Sequence, residues 1–419
     1  MTHLNVLGRR HGRSSWVLAA LPTCLLFCVA PYGLAAERSG PSSDQVKVEN
    51  PSRIGVSSLD VQRVPVGITQ DYKPCLARLP DGELLFVGFH TTGGVPNEYS
   101  FLYRSADGGR TWSKRHRLDL VGREPYLSVT RDGTVFISTH VLTSARGATE
   151  DYGYSYLYRS TDRGRTFEPI TIGHDLIPGA RPGGKWPGRP LIATGRNVLE
   201  LADGTLVFAV GAPHGAEYLW RSRDGGQNWD RSLACTFGSI DMAEQTFPIF
   251  GEAFLHQAPN GDLLAVCRVI LKFFPPIPGT TVPPQKTDQW ERMILYRSSD
   301  GGKTWALGEI GSWYGEMYPS VLTLQSGDIL FTFTVRAPVG PKLRHLGLRA
   351  VLGERTNDGF RFDFDRDRII LETRSAPKVS SGGGFGPTVQ LDDGTLVSCY
   401  SYRTADNRLH PEVVRWRLP

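Results

Sequence analysis

The stretch Arg104–Trp112, RSADGGRTW, decides the fold because close variants of it recur along the chain. They are RSTDRGRTF at Arg159–Phe167, RSRDGGQNW at Arg221–Trp229 and RSSDGGKTW at Arg297–Trp305. In each copy the aspartate can accept backbone N–H bonds across a turn, the glycine permits a tight backbone, and the aromatic ring can be buried between sheets. A catalytic interpretation would need four equivalent active sites. The motif is therefore predicted to be a structural turn.

A second pattern lies between these copies: a short apolar run, a polar turn with glycine, and another apolar run. Alternating apolar residues around Asp-Gly or Asn-Gly predict a β-hairpin. Nothing between the hairpins has the pattern of a long helix. The hairpins are marked by six glycines: Gly82, Gly133, Gly204, Gly261, Gly327 and Gly394.

Interleaving the two patterns gives a unit of two hairpins, or four antiparallel strands, at intervals of roughly 50 to 70 residues. Six units, numbered one to six along the chain, predict an all-β fold: a six-bladed β-propeller of four-stranded antiparallel blades. The turn motif is eroded to RTNDGFRF in unit five and missing from unit six. Leu59–Val66 is therefore predicted to complete blade six and close the ring, which removes two exposed sheet edges.

The first 36 residues have the features of a secretory signal peptide. Arg9, Arg10 and Arg13 precede an apolar run, Trp16–Ala30, which is too short and too interrupted to indicate a membrane span. Uncleaved retention as an anchor is the alternative. We expect residues 1–36 to be a signal peptide, 37–58 a linker and 59–419 the propeller, in a secreted or periplasmic protein with no stable membrane span.

Charge and cysteine spacing argue against two other classes of site. Removing the three arginines of the signal segment, which holds no acid, lowers the formal net charge from +5 to +2. That leaves little basic excess for nucleic-acid binding. No CxxC spacing predicts a zinc site, and neither a metal nor a cofactor motif is evident. The cysteines after the signal segment are expected to be buried free thiols: Cys75, Cys235, Cys267 and Cys399.

The long loops indicate which face carries the site. Because strands alternate direction, both kinds of glycine turn lie on one face of the predicted disc. The opposite face receives the starts of first strands, the ends of second strands, and long loops such as HTTGGVPNEYS from His90. Binding residues tend to lie on such loops.

Polar residues are predicted to gather on the long-loop face. Several arginines beside glutamates suit an anionic sugar, because a guanidinium can bind a carboxylate through two parallel hydrogen bonds. The alternative is that these arginines pair with neighbouring glutamates as scaffold. The residues expected there are Lys73, Glu124, Arg189, Glu252, Glu316, Tyr318, Arg268, Arg336 and Arg403, with Asp71, His90, Glu98, His140 and His214 in nearby loops.

Ser-x-Asp-x-Gly-x-Thr-Trp is the Asp-box, or BNR, motif, and nearly the whole chain after the signal segment resembles a sialidase-type propeller. The resemblance implies an arginine triad for a substrate carboxylate, a tyrosine nucleophile with a glutamate base, and an acidic residue as general acid. Glu252 and Arg268 resemble the family's fourth-blade pair. Tyr318, in YPSVL, resembles the nucleophile strand, with Glu316 two residues before it.

The sequence departs from the family pattern in three places. The first-blade Phe/Tyr-Arg-x-Pro is Tyr72-Lys73-Pro74 here, and lysine lacks the bidentate fork of arginine. The nucleophile normally belongs to the sixth blade, which here begins GGFGP, whereas Tyr318 lies in unit five. No aspartate occupies the general-acid loop, where Glu98 or Asn97 is nearest.

Three hypotheses follow. The first is an exported sialidase-like glycoside hydrolase acting on an acidic, sialic-acid-like glycan. The second is a non-catalytic Asp-box propeller that binds glycan or protein at the long-loop face. The third is a lyase or hydrolase for uronic-acid polymers, with His140 or His214 as base.

The first hypothesis assigns a role to each candidate. Tyr318 is the nucleophile, Glu252 or Glu316 its base, and Glu98 the acid. The substrate-binding residues are Lys73, Arg189, Arg268, Arg336 and Arg403. No cofactor and no metal is expected.

Overall fold

The computed structural model describes most of the chain after residue 40, and within that part the regular elements are β-strands. The described residues are 41–91, 98–140, 155–173, 176–177, 192–212, 216–238, 249–270, 276–281, 291–336, 346–372, 374–376 and 382–419. All belong to one compact unit, Ser39–Pro419. The predicted signal peptide lies outside them. Within them, no helix is long and apolar enough to cross a membrane.

Two strands precede the repeat units, and units one to three follow. The first two are β1 (Ser42–Glu49) and β2 (Ser58–Pro65). Unit one contains β3 (Asp71–Arg78), β4 (Leu84–His90), β5 (Tyr99–Ser105) and β6 (His116–Arg117). Unit two contains β7 (Arg123–Val129), β8 (Val135–His140), β9 (Ser155–Ser160) and β10 (Glu168–Ile172). Unit three contains β11 (Ala193–Thr194), β12 (Leu199–Glu200), β13 (Leu206–Ala212) and β14 (Ala216–Ser222).

The remaining strands belong to units four to six. Unit four contains β15 (Thr236–Phe237), β16 (Phe254–Gln257), β17 (Leu263–Ile270), β18 (Glu291–Ser298) and β19 (Thr304–Gly308). Unit five contains β20 (Glu316–Thr323), β21 (Ile329–Val335), β22 (Gly347–Thr356), β23 (Gly359–Arg361) and β24 (Arg368–Ile370). Unit six contains β25 (Thr388–Gln390), β26 (Leu396–Arg403) and β27 (Leu409–Trp416).

The sheets confirm the predicted all-β architecture of four antiparallel strands. Units one and two are four-stranded sheets with the orders β3-β4-β5-β6 and β10-β9-β8-β7. Unit three is also four-stranded, and unit four adds β15, parallel to β19, to its antiparallel strands. The six hairpin glycines have φ between 82° and 93°, the left-handed region that the predicted turns require.

The strands before unit one join the last two units. β2 pairs antiparallel with β27, with Val61 opposite Trp416, so the strand predicted to complete unit six does pair with it. β1 pairs with both β2 and β24, which connects units five and six in one ten-stranded sheet. The sequence predicts a linker over 37–58, whereas β1 occupies part of it. Only Val46 and Val48 of β1 are buried, so its apolar alternation is too short to predict a strand.

The recurring turn motif forms the same hydrogen bonds in each of its four copies. In unit one, Asp107 accepts bonds from the backbone N–H groups of Arg110 and Thr111, at 3.0 and 2.9 Å. Ser105 Oγ donates to Asp107 and accepts a bond from Gly109 N, each at 2.8 Å. Asp162, Asp224 and Asp300 repeat these contacts. The motif therefore stabilises a turn through hydrogen bonds, as its recurrence predicts.

An arginine of each turn strand reaches the turn of the next unit. Arg104 Nη2 donates to Arg163 O at 2.7 Å, Arg159 Nε donates to Gly225 O at 2.7 Å, and Arg221 Nη2 donates to Gly301 O. Arg415, on β27, donates from Nε to Gly108 O at 2.9 Å. Unit six therefore contacts unit one through the same kind of arginine-to-carbonyl hydrogen bond that connects the earlier units.

Replacing Asp107 with alanine should lower the free energy of unfolding by about 1–2 kcal/mol, because two backbone N–H groups lose their acceptor. Partial burial opposes ionisation of Asp107, but its hydrogen bonds outweigh burial and hold its pKa below the ordinary value of 3.8. Its contribution should therefore be full above that value and lost as the pH falls below it. Denaturant unfolding measures the change, with Asp119→Ala, an exposed position outside the motif, as control. An equal loss in both variants would contradict the prediction.

Candidate functional site

Four units place an unusual backbone residue at the same point, nine residues before the hairpin glycine. These residues are Lys73, Glu124, Glu252 and Tyr318, with φ of 45°, 57°, 65° and 61°. Non-glycine residues in this region cost on the order of 1–3 kcal/mol and cluster at functional sites. The strand register shifts at three of the four points, so a bulge directs the side chain away from the regular pleat.

The four side chains meet in a cluster that also includes arginines of units three, four and five. Lys73 Nζ pairs with Glu124, and Arg196 Nη2 lies 3.1 Å from Glu124 Oε2 and 2.5 Å from Glu252 Oε1. Arg268 Nη1 pairs with the second oxygen of Glu252. We call the following residues the central cluster: Lys73, Glu124, Arg196, Glu252, Arg268, Glu291, Tyr318 and Arg336.

Arg268 is held from two sides. Its Nε and Nη2 donate to the two carboxylate oxygens of Glu291, at 2.6 and 2.7 Å, in the planar arrangement that a guanidinium favours. Its Nη1 binds Glu252. This pairing agrees with the expectation that some arginines serve as scaffold for neighbouring glutamates.

Aromatic rings support the charged groups. Lys73 Nζ lies 4.9 Å from the ring centroid of Tyr318 and 5.5 Å from that of Phe385. The carbon Cζ of Arg196 lies 3.9 Å from the Phe385 centroid, within the range of a cation–π contact. Tyr318 and Phe385 pack edge to face at 5.3 Å.

The carboxyl groups near the cluster differ in their preferred charge. Burial opposes ionisation of Glu252, but Arg196 and Arg268 outweigh it and lower its pKa to about 2. Burial raises the pKa of Glu98, and Arg123 Nη2, 3.1 Å from Glu98 Oε1, offsets only part of this effect. Oε2 of Glu98 is buried and has no hydrogen-bond partner among the described residues. Glu252 is therefore held in its ionised form, whereas burial makes Glu98 harder to ionise than an exposed glutamate.

Tyr318 is buried among cations but its hydroxyl forms no hydrogen bond with another described residue. Cζ of Arg336 and of Arg268 lie 5.7 and 5.8 Å from its ring centroid. Burial raises its pKa more than Arg336, Lys73 and Arg268 lower it. Arg268 contacts both the Tyr318 ring and the Glu252 carboxylate.

The other predicted residues lie in different surroundings. Glu316 is buried, and it accepts a bond from Trp313 N at 2.6 Å and pairs with Arg368 at 3.0 Å. These contacts stabilise the structure of unit five. Arg403 Nη1 donates to Asn407 Oδ1 at 2.9 Å. Three candidates lie outside the described residues: Asn97, Arg189 and His214. The side chain of His140 lies outside them as well.

Asp71 and His90, expected near the site, form a separate group in unit one. His90 Nδ1 lies 2.8 Å from Asp71 Oδ1, and Arg115 Nη2 lies 2.7 Å from the same oxygen. Ile68 N donates to the other carboxylate oxygen. Within the described part of the chain, no group of three or more His, Cys, Asp or Glu side chains could hold a metal ion.

Sequence reasoning did not select Arg196, Glu291, Phe385 or Tyr72. A simple count would have found the first: nine residues before Gly204 is Gly195, so Arg196 is next to the position that carries Lys73 in unit one. The same count from Gly394 gives Phe385. Glu291 opens β18 after a long loop, and no sequence signal marks it.

No family model matches the chain, and no curated protein matches it. Solved structures do resemble it. A protein of unknown function from Dyadobacter fermentans DSM 18053 has a TM-score of 0.61 at 19% identity, over 91% of this chain and 100% of that one.

Two similar structures are of enzymes. An α-L-arabinofuranosidase from Fusarium graminearum has a TM-score of 0.51 at 15% identity, over 83% of this chain and 93% of that one. An intramolecular trans-sialidase from Ruminococcus gnavus has a TM-score of 0.53 at 13% identity, over 83% and 94%. At these identities the likeness shows the fold alone, which is of the all-β propeller type.

Proposed function

We propose that the protein is a glycoside hydrolase that cleaves an acidic sugar at the central cluster. The observation that carries the proposal is the presence of two buried carboxyl groups whose pKa values are shifted in opposite directions, that of Glu252 downward by Arg196 and Arg268 and that of Glu98 upward by burial. Environments that push two carboxyl pKa values apart are the usual basis for acid and base roles in glycoside hydrolysis.

The two carboxyl groups would perform complementary tasks. Protonated Glu98 would give its proton to the leaving oxygen as the glycosidic bond breaks. Ionised Glu252 would stabilise the positive charge that develops at the anomeric carbon, because an anion fixed in a buried site interacts strongly with nearby charge. Burial raises the pKa of Tyr318, the nucleophile implied by the family resemblance, so Tyr318 would need a nearby base to become nucleophilic.

The charge of the central cluster favours a substrate with a negative group. Lys73, Arg196, Arg268 and Arg336 bring four cationic side chains into this cluster. A guanidinium can bind the carboxylate of an acidic sugar through two parallel hydrogen bonds. Arg403, which also donates to Asn407, has its Cζ 5.9 Å from the Tyr72 ring centroid and adds a cation beside that ring.

A panel of aryl glycosides tests the proposal. Aryl sialoside, glucuronide and galacturonide should be hydrolysed faster than aryl arabinofuranoside and galactoside. Glu252→Gln should abolish most of the turnover, whereas Glu168→Gln, an exposed strand position, should not. If the wild type cleaves none of these compounds, the assignment as a hydrolase of such sugars fails.

A second candidate function is a retaining hydrolase of neutral sugars, because two carboxylates lie close together. Arg196 Nη2 lies 3.1 Å from Glu124 Oε2 and 2.5 Å from Glu252 Oε1, so these oxygens are at most about 5.6 Å apart. This upper limit allows the separation of about 5–5.5 Å that retaining glycosidases have. Faster cleavage of the arabinofuranoside, with retention of anomeric configuration, would favour this candidate.

A non-catalytic role in binding glycan or protein is the alternative to both enzymatic functions. The lysine at position 73, where the family resemblance implies an arginine, supports it, since Lys73 is already paired with Glu124. Glycan-array binding without turnover of any bound compound would favour this function over hydrolysis.

We also infer a six-bladed ring that β2 closes, in a protein exported after removal of residues 1–36. The pairing of β2 with β27 and the contact between Arg415 and Gly108 support the ring. The basic and apolar pattern of the N-terminal segment supports export. N-terminal sequencing of the exported protein would show whether cleavage follows Ala36.

A further inference from the structure

Tyr72 lies beside the central cluster, directly before Lys73 on β3. Its ring packs against Phe89, with the centroids 5.2 Å apart, and belongs to a small apolar group with Leu409. Only 9% of the residue is exposed, but the hydroxyl is not left among apolar atoms. Tyr72 is therefore a buried residue whose ring packs against apolar side chains and whose hydroxyl has a polar neighbour.

Cations lie near the ring of Tyr72, and one of them contacts its hydroxyl. Arg336 Nη1 donates to it at 2.8 Å. Lys73 Nζ lies 5.5 Å and Arg403 Cζ 5.9 Å from its ring centroid. Glu124 is the acid that opposes them, and its carboxylate pairs with Lys73 and Arg196. Donation from a guanidinium favours the ionised form of the oxygen that accepts the bond.

The two tyrosines of the site differ in the property that decides nucleophilic attack. Burial would raise the pKa of Tyr72, but Arg336 and Lys73 outweigh burial, so its pKa is lowered from 10.0. The pKa of Tyr318 is raised from the same value. A phenol becomes a good nucleophile when its pKa is depressed or a base is adjacent, and of these two tyrosines Tyr72 is the one whose pKa is depressed.

We propose that Tyr72, rather than Tyr318, is the group that attacks the sugar. This inference rests on the proposed function. Tyr72 Oη, as phenolate, forms a bond to the anomeric carbon while the bond from that carbon to the leaving oxygen breaks. The electron pair of the broken bond goes to the leaving oxygen, which takes the proton of Glu98. Water then attacks the same carbon, gives its proton to Glu98 and releases the phenolate of Tyr72.

Arg336 contacts both tyrosines in this scheme. It donates the hydrogen bond that stabilises the phenolate of Tyr72 before attack, and its guanidinium also lies beside the Tyr318 ring. Tyr318 would then be a positioning residue, with Lys73 and Phe385 packed against its ring.

Ultraviolet titration of ionised tyrosine tests the inference without any substrate. The wild type should show one tyrosine that ionises below all others. Tyr72→Phe should remove that transition, and Tyr318→Phe should leave it in place. Arg336→Gln should move it to higher pH, which provides a test if Tyr72→Phe fails to fold. Persistence of the early transition in Tyr72→Phe overturns the inference.

Kinetics and covalent trapping complete the test. Tyr72→Phe should lower kcat by about 10²–10⁴-fold, because the variant has no phenolate to attack the anomeric carbon. A fluorinated glycosyl donor of the best substrate should label Tyr72 in the wild type, detected by peptide mass spectrometry. A label on Tyr318 or Glu252 overturns the inference. If Tyr72 ionises first but no glycoside is cleaved, the proposed function fails, and the attack by Tyr72 falls with it.

Discussion

Replacing Glu98 with glutamine should lower kcat/KM by about 10²–10⁴-fold for glycosides with poor leaving groups, because glutamine cannot donate a proton to the departing oxygen. The loss should be much smaller for an activated aryl glycoside, whose leaving group needs little protonation. Steady-state kinetics with matched alkyl and aryl glycosides measures the difference. Glu168→Gln is the control, since Glu168 is exposed on β10.

The pH profile gives an independent test of Glu98. Burial raises its pKa above the ordinary value of 4.5, and the acid form is the one that acts. Activity should therefore be present below the raised pKa and fall as the pH rises through it. Glu98→Gln should remove this alkaline limb. A variant with an unchanged limb, or equal losses for both kinds of leaving group, would exclude Glu98 as the proton donor.

Replacing Arg196 with methionine should lower the free energy of unfolding by about 3–5 kcal/mol, because two buried carboxylates lose a shared partner. Arg196 is only 3% exposed and contacts both Glu124 and Glu252. Methionine keeps much of the side-chain volume, so the effect reports mainly on charge. Denaturant unfolding at neutral pH measures it.

The loss of unfolding free energy caused by Arg196→Met should become smaller as the pH falls. The pKa of Glu252 is lowered from 4.5 in the folded state, so its contribution is full above 4.5 and is lost as the pH falls toward its folded value. The difference between wild type and Arg196→Met should narrow over that range. Arg131→Met is the control, because Arg131 is mostly exposed where it pairs with Glu200, and such pairs contribute about 0–1 kcal/mol. Equal effects in the two variants would contradict the prediction.

The repeated architecture could be predicted because local rules repeat along the sequence. Gly82 and its five counterparts mark turns that need positive φ, and Asp107 and its counterparts mark turns that need a side-chain acceptor. Strand β1 could not be predicted from residues 42–49, because it pairs with β24, more than three hundred residues away, and buries only two valines. Its formation depends on the assembled sheet.

The sequence predicted which side chains gather better than how they pair. Lys73, Glu124, Glu252, Arg268 and Tyr318 do meet. Whether Arg268 binds a substrate or Glu291 could not be read from the sequence, since Glu291 follows a long loop whose path no pattern specifies. The orientation of Glu316 toward Arg368 is equally non-local. Pairing between side chains on distant strands, rather than residue type alone, decides which charged groups can bind a substrate.

The arginine contacts between successive turns affect how the molecule can come apart. In an open array of repeats the terminal repeat has one neighbour and can fray without disturbing the rest. Here Arg415 of unit six donates to Gly108 of unit one, a contact of the kind found between the earlier units. In the closed ring that we propose, loosening one unit would disrupt two boundaries at once, which favours cooperative unfolding over stepwise loss from an end.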